Sequence, residues 1–395
     1  MSPRQWAKRM LGVILCILSF HGNASIEDTE KGQLVDHLYL GMFPQSAARL
    51  VLQKTVPLDT LEAGYDLNLY SIHYKTLDPD GRITIASGLV AMPIVADKAV
   101  SVVSYQHGTR FNREDVPSRS MEKSYMILAA FGSHGGYMTV MPDYLGLGDN
   151  ELPLHPYVQP ETLAGSSVDM LLAAKQLAAK LNYSLNDKLY LTGYSEGGFS
   201  TLVMFELLAK EYSHLPITAV ALGSAPYDWE ETIRFILLEP GPRASAYMAY
   251  FFYSLHYYKH YWTSLDDIFI PPYNTLVPEL FDGKHGNEEI LDALPKDPAQ
   301  LLQPAFFDAI LNQRDMNSEN LKQLFNHYDF TPTAPLLLIG TKGDKDVPYH
   351  GSEIAYDAFR KLSDAVFIKS VSDTQDHTEA APYVLKEQLD FFKQY

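Results

Sequence analysis

Short apolar runs alternate with helix-like segments along most of the chain. Residues 66–74 alternate polar and apolar side chains, a turn follows at Asp78–Gly81, and residues 83–92 return, which predicts a β-hairpin. Helix-like segments such as 167–181 separate the later strand-like runs, which lie at 100–104, 138–141, 188–192, 218–222, 336–339 and 366–371. This order predicts an α/β fold with a mostly parallel central sheet and helices on both of its faces.

One of these strands ends in a short glycine-rich motif. Residues 189–192 are strand-like, Gly193-x-Ser195-x-Gly197 follows, and a helix-like run begins directly after it. A sharp turn from strand to helix holds the central serine in a strained conformation, and a bulky side chain at either glycine would collide with the chain. Ser195 is therefore the candidate nucleophile. The main-chain amide of Glu196, at the helix N-terminus, is the first candidate for binding an oxyanion.

Two strands near the C-terminus are followed by the residue types that a serine nucleophile requires. The strand at 336–339 leads into an acidic loop that contains Asp344 and Asp346. The last strand is followed by a loop that contains His377. A histidine removes the serine proton, and a carboxylate orients that histidine. His377 is the candidate general base, and either Asp344 or Asp346 is the candidate orienting acid.

The resulting chain order resembles that of the α/β-hydrolase superfamily. Ser195, Asp344 and His377 each come just after a predicted strand, in the order Ser, Asp, His. Three shorter stretches also resemble the secreted lipase and esterase branch of this superfamily. They are Met141–Asn150, His155–Tyr157 and Gly223–Asp228. The resemblance implies an α/β-hydrolase fold and an acyl-transfer chemistry that needs no metal ion and no organic cofactor.

The resemblance also implies individual roles. The spacing Asp344-x-x-Val-Pro resembles the family pattern, which implies that Asp344 rather than Asp346 orients the histidine. The sequence His107-Gly108-Thr109 after a strand resembles the turn that carries the second oxyanion donor, which implies the amide of Thr109. His107 would then shape this turn and not act as a base.

One segment, at about 226–330, interrupts the alternation of strands and helices. It has few strand signals and contains a dense aromatic run at 247–262. In this superfamily an insertion after the sixth core strand often carries a cap, so the resemblance implies a mainly helical lid over Ser195 within a hydrolase domain of residues 25–395. Aromatic side chains offer large apolar contact areas, and they suit an acyl chain or an aromatic acid better than a charged peptide.

Composition and charge restrict the partners. The formal net charge is −17, from 31 basic and 48 acidic residues, which excludes a basic stripe for nucleic acid and favours an uncharged substrate. The expected partner is a small-molecule or lipid ester, with transient contact to a lipid interface. A metal cluster of Asp143, Asp149 and His155 is disfavoured, because the spacing is irregular and no cysteine supports it.

The N-terminus has the three parts of a secretory signal peptide. Basic residues precede an apolar run at 10–20, and small residues follow up to Ala24. The apolar run is shorter than the roughly 20 residues that a transmembrane helix needs. We therefore predict that residues 1–24 are removed and that the mature chain is secreted or periplasmic. The only cysteine lies within this segment, so the mature chain would contain no disulfide.

The combined prediction is a secreted serine hydrolase that cleaves carboxylic esters, of the lipase or esterase type, through an acyl-enzyme intermediate. A secreted serine peptidase of the aminopeptidase type, on the same fold, is the alternative. It would need acidic cap residues to capture a substrate amino group, and the candidates are Glu230, Glu231, Asp266 and Asp267. A catalytically silent binding protein is a third hypothesis, against which the complete triad argues.

Overall fold

Nine strands form the centre of the protein. The computed structural model describes residues 30–96 and 98–395, so the predicted signal peptide lies outside the described residues. The strands are β1 (Leu34–Phe43), β2 (Leu67–Leu77), β3 (Ile83–Pro93), β4 (Val100–Gln106), β5 (Met138–Pro142), β6 (Leu185–Tyr194), β7 (Ala219–Gly223), β8 (Leu336–Gly340) and β9 (Val366–Ser370). They make one sheet in the order β1-β2-β3-β5-β4-β6-β7-β8-β9.

Helices connect and cover these strands. They are α1 (Gln45–Gln53), α2 (Tyr125–Ile127), α3 (Pro160–Lys180), α4 (Glu196–Glu211), α5 (Trp229–Leu238), α6 (Ala244–Lys259), α7 (Tyr273–Leu280), α8 (Asn287–Ala293), α9 (Pro304–Leu311), α10 (Ser318–Phe325), α11 (Tyr349–Arg360) and α12 (His377–Phe392). The single turn α2 continues into a π-helical segment at Leu128–His134. None of the described helices is long and apolar enough to cross a membrane.

The sheet is antiparallel at one side and parallel across the rest. β1, β2 and β3 pair antiparallel, and β3 also pairs antiparallel with β5. Every neighbouring pair from β5 through β9 is parallel. This confirms the predicted α/β fold. Because parallel strands end at the same edge of a sheet, the loops after β4, β6, β8 and β9 meet at that edge.

Both faces of the central parallel strands β4, β5, β7 and β8 are buried, which explains their continuous apolar sequences. In β7 the side chains of Val220 and Leu222 belong to the hydrophobic cluster on one face. Those of Ala219 and Ala221 belong to the cluster on the other face. Successive side chains of a strand point to opposite faces, so each face receives apolar residues. The loops at the carboxyl ends of these strands are therefore attached to a well-packed sheet.

Two elements differ from the sequence prediction. The edge strand β1 was not predicted, because it leaves large apolar side chains exposed, including Leu38 at 65% and Tyr39 at 52%, and so lacks the alternation of a half-buried strand. Helix α3 begins at Pro160, seven residues before the predicted start at 167. Its first turns bury polar residues such as Thr162 and Ser166, which hides the apolar stripe of an ordinary surface helix.

The segment between β7 and β8 contains the six helices α5 to α10. We refer to residues 226–330 as the cap segment. Much of its aromatic run packs within the cap segment itself. Phe252 is fully buried and meets Trp262 and Phe306 edge to face, with ring centroids 5.6 and 4.9 Å apart. Such aromatic pairs add about 0.5–1.5 kcal/mol beyond the burial of their area.

Candidate active site

Ser195 lies at the turn from β6 into α4, in a backbone conformation that is rare for a residue with a side chain. Its φ is 61° and its ψ is −127°. The amide of Ser195 donates to the carbonyl of Gly223 at 2.8 Å, which fixes the turn to β7. A Cβ on Gly193 would lie 2.2 Å from the Gly197 carbonyl oxygen, and one on Gly197 would lie 2.0 Å from the Gln106 carbonyl oxygen. Only glycine fits at either position.

Asp344 and His377 are joined directly. The imidazole Nδ1 lies 2.7 Å from Asp344 Oδ2, and both side chains are almost fully buried. The other carboxylate oxygen, Oδ1, accepts hydrogen bonds from the amides of Asp346 and Val347, at 2.9 Å each. Since a carboxylate accepts, Nδ1 is assigned the imidazole proton, which leaves Nε2 free to act as a base.

His377 is the first residue of α12, and its main chain is held by Asp376, the preceding residue, and by Tyr194 from β6. The carboxylate of Asp376 caps the helix by accepting two main-chain hydrogen bonds, so it is used structurally. The hydroxyl of Tyr194 donates to the His377 carbonyl at 2.5 Å. The Tyr194 ring lies 5.0 Å from the imidazole. His377 therefore packs against the residue that precedes Ser195.

Asp346, the alternative acid, has a different partner. Its Oδ2 accepts a 2.5 Å hydrogen bond from Arg243, the residue that precedes α6. Burial raises the pKa of Asp346, although His377 and Arg243 oppose this effect. Of the two candidate acids, Asp344 is the one that contacts the histidine, and Asp346 connects the acid loop to the cap segment.

The turn after β4 lies against Ser195. A Cβ built on Gly108 would come within 3.4 Å of the Ser195 Cβ. Burial lowers the pKa of His107 to about 3, and Arg110 adds to this effect, so His107 is a neutral ring at ordinary pH. His107 Nδ1 lies 2.8 Å from the Gly108 carbonyl oxygen. The structure thus brings the predicted oxyanion residue Thr109 to the same site; the donor role of its amide and of the Glu196 amide stays a prediction.

A buried pair of side chains beside Ser195 was not predicted from the sequence. Glu196 Oε1 lies 2.9 Å from His155 Nε2, and each side chain is 1% exposed. His155 Nδ1 in turn lies 2.7 Å from the carbonyl oxygen of Leu145. Glu196 follows Ser195 directly and is 2% exposed, and a buried carboxylate requires a polar partner. The need for such a partner was the only sequence signal for this pair, and the sequence alone does not identify His155 as the partner.

The loop at residues 155–157, which contains His155, also contacts Thr109, the second predicted oxyanion residue. The hydroxyls of Tyr157 and Thr109 are 3.0 Å apart. Tyr157 also donates its amide to Ser254 Oγ in α6, at 2.9 Å. The loop at residues 155–157 therefore contacts the side chains of Glu196 and Thr109 and is itself hydrogen-bonded to the cap segment.

A cavity of about 40 Å³ opens beside Ser195. The core contributes Ser195, Glu196 and Tyr157 to its lining. The cap segment contributes Thr232 and Ile236 from α5, Tyr247, Met248 and Phe251 from α6, and Phe325 from α10. A larger depression, of about 440 Å³, is lined by none of the predicted catalytic residues. The smaller cavity is therefore the candidate substrate site.

The four acidic residues considered for a peptidase lie elsewhere. Among the described residues, the cavity lining includes none of the four, which are Glu230, Glu231, Asp266 and Asp267. Glu230 forms an ion pair with Lys322 at 2.6 Å, and Asp267 closes a capping box. Their positions give no support to capture of an amino group at Ser195.

The three residues considered for a metal site also have separate partners. Asp143 accepts hydrogen bonds from Ser87 and Ser118, at 2.6 and 2.5 Å. Asp149 binds Arg119, and His155 binds Glu196. Across residues 30–96 and 98–395, no group of three or more His, Cys, Asp or Glu side chains is arranged to hold a metal ion.

Solved structures are similar to this chain over most of its length. A crystal structure of a candidate hydrolase from Legionella pneumophila has a TM-score of 0.91 and 66% identity, and covers 92% of this chain and 98% of its own. The rice cell wall degrading esterase LipA from Xanthomonas oryzae gives 0.81 at 21% identity, covering 92% and 96%. Candida antarctica lipase A in its closed state gives 0.67 at 17% identity, covering 93% and 82%. The last two show likeness of fold alone. The sequence matches no protein-family model and no curated protein.

Proposed function

Because this chain belongs to the α/β-hydrolase superfamily, we propose that it is a secreted serine hydrolase that cleaves carboxylic esters, of the lipase or esterase type. The observation that carries the proposal is one arrangement at the C-terminal edge of the sheet. Ser195 occupies a strained strand-to-helix turn, and Asp344 binds Nδ1 of His377, which packs beside that turn. Nucleophile, base and orienting acid in this relation are the requirements of acyl transfer through a serine ester.

The proposed reaction proceeds in two stages. His377 Nε2 accepts the proton of Ser195 as Oγ attacks the ester carbonyl, and Asp344 stabilises the resulting imidazolium. The amides of Glu196 and Thr109 donate to the oxyanion, and each such donor contributes roughly 3 kcal/mol of transition-state stabilisation. His377 then protonates the leaving alcohol. Water, activated by His377, attacks the acyl-enzyme and releases the acid, which restores Ser195.

Two features favour an ester over a peptide as the substrate. Most of the cavity lining is apolar or aromatic, including Phe251 and Phe325. Two of the proteins with a similar fold are named an esterase and a lipase. The proposed export depends on residues 1–24 alone, whose basic, apolar and small-residue parts are those of a signal peptide.

The activity is tested with p-nitrophenyl esters from acetyl to palmitoyl. We expect wild-type protein to hydrolyse at least the short members, and Ser195→Ala to lose this activity because no nucleophile remains. Ser46→Ala is the matched control, since Ser46 is exposed on α1, and it should behave as wild type. Hydrolysis by Ser195→Ala at the wild-type rate, or no hydrolysis by wild type along the whole series, would overturn the proposal. In the second case, aminoacyl p-nitroanilides test the peptidase alternative.

Export is tested separately, by sequencing the N-terminus of the protein recovered from its native host. The expected chain begins after about Ala24. Recovery of a chain that begins at Met1 would overturn the proposed secretion, and it would leave the proposed esterase activity untouched.

A further inference from the structure

The carboxylate of Glu196, the residue directly after Ser195, is buried beside one basic group. Its Oε1 lies 2.9 Å from Nε2 of His155, and each side chain is 1% exposed. The other carboxylate oxygen, Oε2, is buried and has no hydrogen-bond partner among the described residues. A buried carboxylate is costly unless a basic group is paired with it, so the charge of Glu196 depends on His155.

The contacts of His155 determine how many protons the pair holds. Its Nδ1 lies 2.7 Å from the Leu145 carbonyl oxygen, which can only accept, so Nδ1 is assigned a proton. If this were the only proton, Nε2 and the Glu196 carboxylate would face each other as two acceptors. One further proton must therefore lie between Nε2 and Oε1, either on the imidazole or on the carboxyl group. In both cases the pair has no net charge.

The location of Glu196 gives this neutrality a consequence for catalysis. Its main-chain amide is a predicted oxyanion donor, and its side chain lines the same cavity as Ser195. Four bonds separate the amide nitrogen from the carboxyl carbon, so an uncompensated charge would lie within roughly 5 Å of that nitrogen. Negative charge so close to the donor would oppose formation of the oxyanion, because a protein interior screens charges weakly.

Four tyrosines surround the pair. They are Tyr144 and Tyr157 from two loops, and Tyr247 and Tyr250 from α6. The His155 ring stacks on that of Tyr144, with ring centroids 5.7 Å apart. Burial raises the pKa of all four hydroxyls, and Glu196 adds to this effect, so they are neutral at ordinary pH. The tyrosines therefore do not compensate a charge on Glu196.

The other titratable and charged groups nearby have different partners or none at Glu196. They are the neutral ring of His107, the cations Arg110 and Arg113, and the pairs Asp346–Arg243 and Asp344–His377. Across the part of the chain that the structure describes, none of them forms a hydrogen bond or an ion pair with Glu196. His155 is therefore the group that compensates this carboxylate.

We propose that His155 is a positioning residue for the oxyanion site, and that it holds the proton which neutralises Glu196. This inference rests on the proposed esterase function, since the oxyanion forms only during acyl transfer. The same loop contacts the second predicted donor residue, because the hydroxyls of Tyr157 and Thr109 are 3.0 Å apart. The loop at residues 155–157 thus fixes the surroundings of one donor and the electrostatics of the other.

The test is a double-mutant cycle at His155 and Glu196, with kcat and KM measured on p-nitrophenyl butyrate from pH 6 to pH 9. In His155→Gln the shared proton is gone, and any proton that the carboxylate takes from solvent is lost as pH rises. We expect kcat relative to wild type to fall to about one-thirtieth at pH 9, as for unit charges about 8 Å apart at an effective dielectric constant of about 20. KM should change less than about threefold, because the charge opposes the oxyanion and not the bound ester.

Glu196→Gln supplies the second background, since it removes the carboxylate and keeps the main-chain amide. There, adding His155→Gln should lower kcat by no more than about threefold, because no charge remains to be neutralised. A purely structural role predicts equal losses in both backgrounds, independent of pH. His350→Gln is the matched control, because it breaks an exposed histidine–glutamate pair of the same 2.9 Å length on α11, and it should follow the wild type at every pH.

Nitrogen-15 NMR of histidine-labelled wild-type protein tests the shared proton without any substitution. The His155 ring is assigned through the contacts of its protons with the Tyr144 ring. We expect its two nitrogen shifts to stay constant from pH 6 to pH 9, because the proton between Nε2 and Oε1 is retained throughout. Thermal unfolding of each variant shows whether it is folded, and the NMR result decides the question if His155→Gln is not.

Wild-type kcat at pH 9 in folded His155→Gln, or equal losses in the two backgrounds, would overturn the inference. Titration of the His155 nitrogens between pH 6 and pH 9 would do so as well. Each of these results would leave the esterase proposal standing. Absence of hydrolysis by the wild type would overturn the esterase proposal, and the inference with it.

Discussion

At the scale of single residues, the site depends on backbone positions where a side chain is excluded. Ser195 is held at a positive φ by the hydrogen bond that its amide donates to the Gly223 carbonyl in β7, and by the packing of Gly197 against the strand β4. Such a conformation costs of order 1–3 kcal/mol and persists only where its surroundings impose it. The strain is located at Ser195, and the close approach of Gly197 helps to impose it.

Gly197→Ala should therefore destabilise the protein by about 3 kcal/mol, the upper range for overpacking, because its Cβ would meet main-chain atoms that have no room to move. Chemical denaturation followed by circular dichroism measures this loss. Gly165→Ala on α3 is the matched control, since an added Cβ there meets nothing within 4 Å. It should gain about 0.5–1 kcal/mol, as helical alanine usually does over glycine. Equal stability of the two variants would contradict this account.

Asp344→Asn tests the identity of the orienting acid. An amide places the wrong tautomer on His377, so kcat should fall by about 10³–10⁴-fold with little change in KM, as for an orienting aspartate in other serine hydrolases. Steady-state kinetics on a p-nitrophenyl ester measures both parameters. Asp346→Asn should cost much less in kcat, because Asp346 contacts Arg243 and not the imidazole Nδ1. The reverse ranking would transfer the role to Asp346.

At the scale of elements, a buried serine of the cap segment is hydrogen-bonded to the loop at residues 155–157. Ser254 Oγ in α6 accepts from the amide of Tyr157 and donates to the carbonyl of His155, at 2.9 and 3.2 Å. Tyr157 also stacks on Tyr250 of the same helix, with ring centroids 4.5 Å apart. Helix α6 and the loop at residues 155–157 thus form one packed unit against the oxyanion turn.

The hydrogen bond between Tyr157 and Thr109 should matter for rate. Tyr157→Phe keeps the stacked ring and removes the hydroxyl, and we expect kcat to fall about tenfold, which corresponds to roughly 1.4 kcal/mol. Thr109→Val should lose a similar factor, and the double variant should lose no more than either single one. Tyr39→Phe, on exposed β1, is the control. Additive losses would mean that the two hydroxyls act independently.

The predictable elements are those whose signal is local. Buried parallel strands are continuous apolar runs, so most of the sheet followed from sequence, and the turns and loops after those strands contain Ser195, Asp344 and His377. The pairing of Glu196 with His155 spans 41 positions and leaves no local pattern. Strand β1 was missed for a different reason, because an edge strand with exposed apolar side chains lacks the alternation of polar and apolar residues that identifies a half-buried strand.

At the scale of the whole molecule, one buried acid outside the candidate site should influence how stability depends on pH. Asp169 lies in α3 and is 2% exposed. Burial raises its pKa to about 7, although Thr76 and Lys31 lower it somewhat. In the unfolded chain an aspartate has a pKa of about 3.9. Between these two values the folded state retains a proton that the unfolded state has lost.

The free energy of unfolding should therefore decrease as pH rises from about 4 to about 7, and the penalty should persist above pH 7. Its upper limit is about 4 kcal/mol, at 1.36 kcal/mol for each pKa unit. Asp169→Asn should flatten this dependence and unfold at higher denaturant concentration at pH 8. Asp373→Asn, in an exposed loop, should follow the wild-type curve. If the free energy of unfolding of Asp169→Asn changed with pH in parallel with that of the wild type, Asp169 would be ionised in the folded state over this pH range.

The path of the chain into and out of the cap segment has an evolutionary consequence. β7 and β8 are neighbours in the sheet, and the whole cap segment leaves from one and returns to the other. Insertions, deletions or replacements among α5 to α10 can therefore accumulate in a lineage without changing the register of any strand. Descendants of a common ancestor would be expected to diverge fastest there, with drift restrained at the positions of Arg243 and Ser254, where the cap segment is bound to the core.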